Sequence, residues 1–132
     1  VSVLRFRVGK LIRDRLPAIM RAQGLAVFDR RLDDAEYLTA LKHKLVEEAA
    51  EAAEAASPDE LAGELADVLE VVRALAAAEG LSMEEVETRG IAKRDERGGF
   101  DDGVFNAAVE AGDGLPAADY YLARPEQYPR EG

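Results

Sequence analysis

Hydrophobic positions recur at steps of three and four over two long stretches of the chain. Leu38, Leu41, Leu45, Ala49, Ala52 and Ala56 form one stripe; Leu61, Leu65, Val68, Leu69, Val72, Leu75 and Ala76 form a second. That period predicts two amphipathic helices, over 34–56 and 58–79. Asp33 or Asp34 opens the first. Ser57-Pro58-Asp59-Glu60 opens the second with an N-cap, a proline at N1 and a glutamate at N3, the pattern of a capping box. Gly80 stops it. Ser82 with Glu85 repeats the capping pattern before a third helix over 83–97, which ends at Arg97-Gly98-Gly99-Phe100. A short helix is expected over about 15–23, with Asp14 as its cap, Pro17 in its first turn and Gly24 after its last. The alternation from Val3 to Val8 and the run 25–32 predict two short extended pieces, a minor β pair at most. The expected fold is therefore all-α: a bundle of two long antiparallel helices plus shorter ones.

Beyond residue 100 the pattern changes. Gly103, Gly112, Gly114, Pro116, Pro125 and Pro129 break any long element, while Phe105, Val109, Tyr120, Tyr121, Leu122 and Tyr128 supply anchors. The expected organisation is a helical domain over 1–105 and an extended tail, 106–132, packed on it.

Composition narrows the picture. Hydrophobic residues make up 48% of the 132, but much of that is alanine and aromatics are 6%, so one copy has a thin core and a second copy is the expected remedy. The formal charge of −10 disfavours nucleic-acid backbones and anionic membranes as partners. There is no cysteine, which removes disulfides and thiolate metal sites, and the single histidine, His43, removes multi-histidine zinc sites within one chain. No apolar run reaches the length of a membrane span, and the first residues lack the pattern of a signal peptide. The cytoplasm is the expected compartment. The numbering opens on Val1, which leaves room for an initiator methionine or a short leader ahead of it.

The acids change the picture more. Glu47, Glu48 and Glu51 lie on the first long helix, Glu64 and Asp67 on the second. At about 100° per residue, Glu48 falls roughly 50° from the centre of its apolar stripe, Glu51 roughly 110°, and Glu47 nearly opposite; Glu64 lies roughly 80° from the centre of the second stripe. Glu48 with Glu51, and Glu64 with Asp67, are i, i+3 neighbours. Lys44 is the one basic residue a turn away from any of them. Acids brought together across a helix pair repel unless a cation intervenes, and hard oxygen donors suit Mg²⁺, Mn²⁺ or Ca²⁺. Two solvated acidic helix faces explain the same residues, and periodicity does not separate the two readings.

Two basic clusters complete the inventory. Lys10, Arg13 and Arg15 surround Asp14; Lys93, Arg94 and Arg97 precede Gly98-Gly99. The second has an ordinary role in offsetting a helix dipole, and the first can be plain surface charge. In so acidic a chain both also suit an anionic, phosphate-bearing ligand. His43, beside two lysines, reads as an exposed helix residue.

Taken in order, Glu47-Glu48-x-x-Glu51 followed by Glu64-x-x-Asp67 resembles the EExxE…ExxD signature of the MazG-like all-α nucleoside triphosphate pyrophosphohydrolases. Lys10-Leu-Ile-Arg-Asp-Arg-Leu-Pro17, Glu64-Leu-Ala-Asp-Val-Leu-Glu70 and Lys93-x-x-x-Arg-Gly-Gly-Phe100 are similar to a branch labelled phosphoribosyl-ATP pyrophosphohydrolase-like. The resemblance covers about residues 6–105. It implies a homodimer or homotetramer and Mg²⁺-dependent hydrolysis of a nucleoside triphosphate, or a related nucleotide, to the monophosphate and pyrophosphate, in the manner of a house-cleaning enzyme. Mn²⁺ is the natural substitute ion. It also implies Glu48, Glu51, Glu64 and Asp67 as metal ligands, Glu47 and Glu48 as the catalytic carboxylates, with Glu47 open between a metal ligand, a residue behind the ligands and a water-orienting base, and Lys10, Arg13, Lys93 and Arg97 as substrate contacts. Two rivals stand beside it: phosphoribosyl-ATP hydrolysis in histidine biosynthesis, and a non-catalytic acidic helical module that binds a protein.

Overall fold

Caps and glycines punctuate the chain much as the pattern predicts. The structure is a computed structural model that describes residues 2–132. Among them are five helices and no strand: α1 (Leu16–Ala22), α2 (Asp34–Ala53), α3 (Pro58–Ala78), α4 (Met83–Arg97) and α5 (Pro116–Leu122). Asp33 caps α2 in a full capping box: its side chain accepts from the Glu36 N–H, and the Glu36 carboxylate accepts from the Asp33 N–H. Glu36 is also gripped by Arg30 at 2.7 Å, and that guanidinium pulls its carboxyl down to about 2. Gly24 and Gly80 take φ of 90° and 73°, where glycine alone is unstrained, and each closes its helix with the paired carbonyl bonds of a Schellman turn.

Several local expectations need correction. The segments 3–8 and 25–32 are not strands: no backbone ladder joins them, and Arg5 stacks 4.5 Å over the Phe28 ring between them. An isolated two-stranded pair gains too little from its few backbone bonds to hold without a covered face. Asp14 does not cap α1; Arg15 occupies the N-cap position with helical dihedrals, and no side chain caps the turn. At α3 the Ser57 hydroxyl accepts from the Glu60 N–H, but the Glu60 carboxylate reaches past Ser57 to the Ala56 N–H, so the box is one-sided. α2 stops at Ala53, three residues early, because the chain must turn within 54–57 to reach Pro58. The short helix α5 was hidden among the proline and glycine breakers, although Pro116 starts it in the ordinary way.

The chain falls into two compact units, one ending at Asp95 and the other spanning Glu96–Gly132. In the first, α2 and α3 form a hairpin and pack against each other. Leu41 (2% exposed) and Val71 are its buried aliphatic residues, with Ala76 beside them in α3. In the second, Tyr120, Tyr121 and Tyr128 pack ring against ring with centroids 5.0–5.9 Å apart, and Arg124 covers the Tyr120 ring. Phe105, Val109 and Leu122 are exposed.

α3 is turned differently from its leucine pattern. Its less exposed positions are Glu64, Asp67, Val68, Val71, Val72, Ala74, Leu75 and Ala76, while Leu61, Leu65 and Leu69 face outward, Leu65 at 52% exposure. The predicted stripe thus splits: its C-terminal half is the less exposed side, and its N-terminal half gives that place to two carboxylates. Leu41→Ala should destabilise the hairpin by about 2–5 kcal/mol, the range for emptying a buried leucine site. Urea unfolding measures this, and a loss well under 1 kcal/mol would show that α2 and α3 are not held by this contact.

Candidate metal and phosphate site

Glu48 on α2 is 7% exposed, and its burial follows from the angular position that its sequence gives it. One turn on, Glu51 projects to solvent, and across the hairpin Glu64 comes from the first half of α3. One carboxylate oxygen from each of Glu48, Glu51 and Glu64 lies within 4.8 Å of the other two. The Glu48 Oε2 and Glu64 Oε2 atoms are buried and have no hydrogen-bond partner. A buried carboxylate oxygen without a donor costs free energy unless something positive reaches it. Burial, and after it repulsion from Glu51 and Asp67, pushes the Glu48 carboxyl above the ordinary range, against the pull of Lys44.

Three cations surround the trio. Lys44 is half-buried on α2 and sits 3.3 Å from both Glu47 and Glu48. Lys10 Nζ donates to Glu47 Oε1 at 2.6 Å, and Arg13 donates to Asp67 Oδ1 at 2.7 Å. Gripped first by Lys10 and then by Lys44, Glu47 is held below the usual carboxylate range. So the acids divide. Glu48, Glu51 and Glu64 face one another with free oxygens, and Glu47 and Asp67 are each engaged by a cation from the N-terminal segment.

The candidate residues are therefore brought together unevenly. Glu47, Glu48, Glu51, Glu64, Asp67, Lys10 and Arg13 share one end of the α2–α3 hairpin. Lys93 and Arg97 lie on α4, exposed, and neither forms an ion pair among the described residues. Lys44 carries more than its sequence position suggested; its i, i+3 and i, i+4 spacing to Glu47 and Glu48 was the available signal. His43 is exposed, as its neighbours implied. Among the described residues no helix is long and apolar enough to cross a membrane.

The donor set fits a hard divalent cation. All three groups are carboxylates, two of them present orphaned buried oxygens, and the oxygens are close enough to share one ion. A bound dication should raise the melting temperature, since it relieves a repulsion that the folded state creates. In metal-free protein the raised Glu48 carboxyl favours the fold below its unfolded value near 4.5 and loses that contribution as pH rises through its folded value. Glu48→Gln should then remove both effects: less loss of stability on raising pH from 4.5 to 7, and little or no Mg²⁺-induced rise in melting temperature. Differential scanning calorimetry reads both; an unchanged Mg²⁺ shift in the variant would remove Glu48 from the site.

Comparison with known proteins gives one result. Residues 37–99 match the family described as MazG nucleotide pyrophosphohydrolase domain. The match spans α2 from Tyr37 on, all of α3 and α4, all five clustered acids, and Lys93 and Arg97, and it begins after Lys10 and Arg13. No curated protein and no solved structure matches the chain.

Proposed function

We propose, from residues 37–99 that match the MazG nucleotide pyrophosphohydrolase domain, an enzyme that hydrolyses a nucleoside triphosphate to the monophosphate and pyrophosphate with Mg²⁺. The observation that carries this reading is the facing trio Glu48, Glu51 and Glu64 with two orphaned buried oxygens. Solvated acidic faces account for the charge but not for carboxylates turned towards a partner helix while leucines face water. A non-catalytic binding module has the same difficulty.

Glu48, Glu51 and Glu64 are the primary ligands in this reading, and Asp67 joins them once Arg13 releases it. When bound, Mg²⁺ neutralises phosphate oxygens and makes the phosphorus a better target. The rest falls to the chain. Glu47, outside the trio, orients the attacking water and receives its proton. The water oxygen bonds to the α-phosphorus while the bond to the bridging oxygen breaks, and pyrophosphate leaves with that electron pair. Arg13 and Lys10 are donors for phosphate oxygens from the N-terminal segment; Lys93 and Arg97 are further candidates from the matched segment. House-cleaning of non-standard nucleotides is the role this reading assigns to the enzyme.

The working form is a homo-oligomer in this proposal, with the exposed Leu61, Leu65 and Leu69 ridge of α3 and Val46 of α2 as the surface covered by a second copy. The few buried aliphatic side chains of the hairpin support that reading. Sedimentation as a stable monomer at micromolar concentration would remove it.

A panel of standard and non-standard nucleoside triphosphates, assayed with Mg²⁺ for pyrophosphate release, should identify at least one substrate. Glu51→Gln and Asp67→Asn should each lower kcat at least about 100-fold while leaving helicity intact, as loss of a metal-orienting ligand does. Full activity in either variant would overturn that ligand assignment, and no turnover of any nucleotide would leave the binding module as the better reading.

A further inference from the structure

The segment 9–14 crosses the acid site without being part of either helix that builds it. Gly9 takes φ of 58°, Leu11 and Ile12 are half-buried, and the flanking Lys10 and Arg13 side chains are the exposed members. They reach different helices: Lys10 pairs with Glu47 on α2, 37 positions away, and Arg13 with Asp67 on α3, 54 positions away. Together they tie the strap to both sides of the hairpin at the level of the trio. Yet neither reaches the orphaned Oε2 atoms of Glu48 and Glu64. The strap cations engage the outer acids and leave the inner oxygens free.

This arrangement has an electrostatic consequence. A bare dication approaching the trio meets Lys10, Arg13 and Lys44 close by, and each lowers its affinity. A dication arriving with a polyphosphate brings more negative charge than it carries positive, and the strap cations then have better partners than exposed carboxylates. Exposed ion pairs are weakly held, so exchange of partner is easy, and a guanidinium matches phosphate oxygens as well as it matches a carboxylate.

We propose that Lys10 and Arg13 are exchange counter-ions: they pair with Glu47 and Asp67 in the free protein and move to the phosphate chain of a metal–nucleotide when it binds. The inference rests on the pyrophosphohydrolase reading of this site and adds the order in which its charges are satisfied. The metal and the phosphate chain then bind synergistically, and the same two side chains oppose the first and favour the second. Lys10 and Arg13 are positioning residues for Glu47 and Asp67 in the free protein and phosphate contacts in the complex.

The test uses the full chain and two probes: Mn²⁺ alone, followed by the resonance of the free ion, and magnesium tripolyphosphate, which carries the phosphate chain without a base, followed by calorimetry. Lys10→Met and Arg13→Met should each bind Mn²⁺ about 2–5-fold more tightly than the parent, the size expected for loosening one exposed pair. Each should bind magnesium tripolyphosphate about 10-fold or more weakly, as loss of a charge-assisted phosphate contact does. Arg15→Met, at the next cation along the chain, which occupies the N-cap position of α1 and forms no ion pair among the described residues, should leave both affinities within about 2-fold. Opposite shifts in the two paired variants, absent from Arg15→Met, support the exchange. If both affinities fall together, or if Arg15→Met behaves like the paired variants, the exchange is wrong although the site stands. A parent chain that binds neither probe overturns the exchange and the pyrophosphohydrolase reading together.

Discussion

The structure turns on the repulsion between carboxylates that α2 and α3 carry towards each other. Glu48 is buried with one free oxygen, Glu64 presents another, and Glu51 closes the triangle. Ordinary packing would turn α3 by its leucines and leave these acids in water. Here Leu65 and Leu69 are outside and Glu64 and Asp67 are less exposed. That choice costs hydrophobic burial and adds electrostatic strain, and a cation that binds the trio relieves the second term. Stability and ligand affinity are therefore linked in this hairpin: what makes the metal-free fold weaker makes the site stronger.

The surrounding charges moderate the strain by degrees. Lys44 lies on the same helix as Glu47 and Glu48 and shields them from within, while Lys10 and Arg13 do so from a separate segment. A helix-borne lysine is constrained to stay near its acids. A strap residue is free to leave. The site thus has a permanent counter-ion and two removable ones, and the removable ones lie outside the segment that matches the MazG family, 37–99.

Helix positions and the all-α class were legible because period, caps and glycines agree: Asp33, Ser57, Gly24 and Gly80 all act where the pattern puts them. The inward lean of Glu48 was legible too, since rotation along one helix needs only its own sequence. The facing of α3 was not. Its leucines and its acids compete for the same side, and which wins depends on the partner helix. The pairs Lys10–Glu47 and Arg13–Asp67 were hidden for the same reason: they join positions far apart in the chain, and local spacing carries no trace of them. The failed strands reflect alternation at 3–8 and a short run at 25–32 without a covered face, and α5 a helix too short to show a period.

The central claim is that carboxylate oxygens of Glu48, Glu51 and Glu64 converge to hold a divalent ion between α2 and α3. Crystals of the chain grown with Mn²⁺, with diffraction recorded where manganese scatters anomalously, address it without recourse to any substrate. The account predicts a single strong anomalous peak at about 2.0–2.4 Å from carboxylate oxygens of all three residues, at the distances such ions take from oxygen ligands. A peak elsewhere, or a hairpin whose three carboxylates point to bulk water with no ion between them, would contradict it.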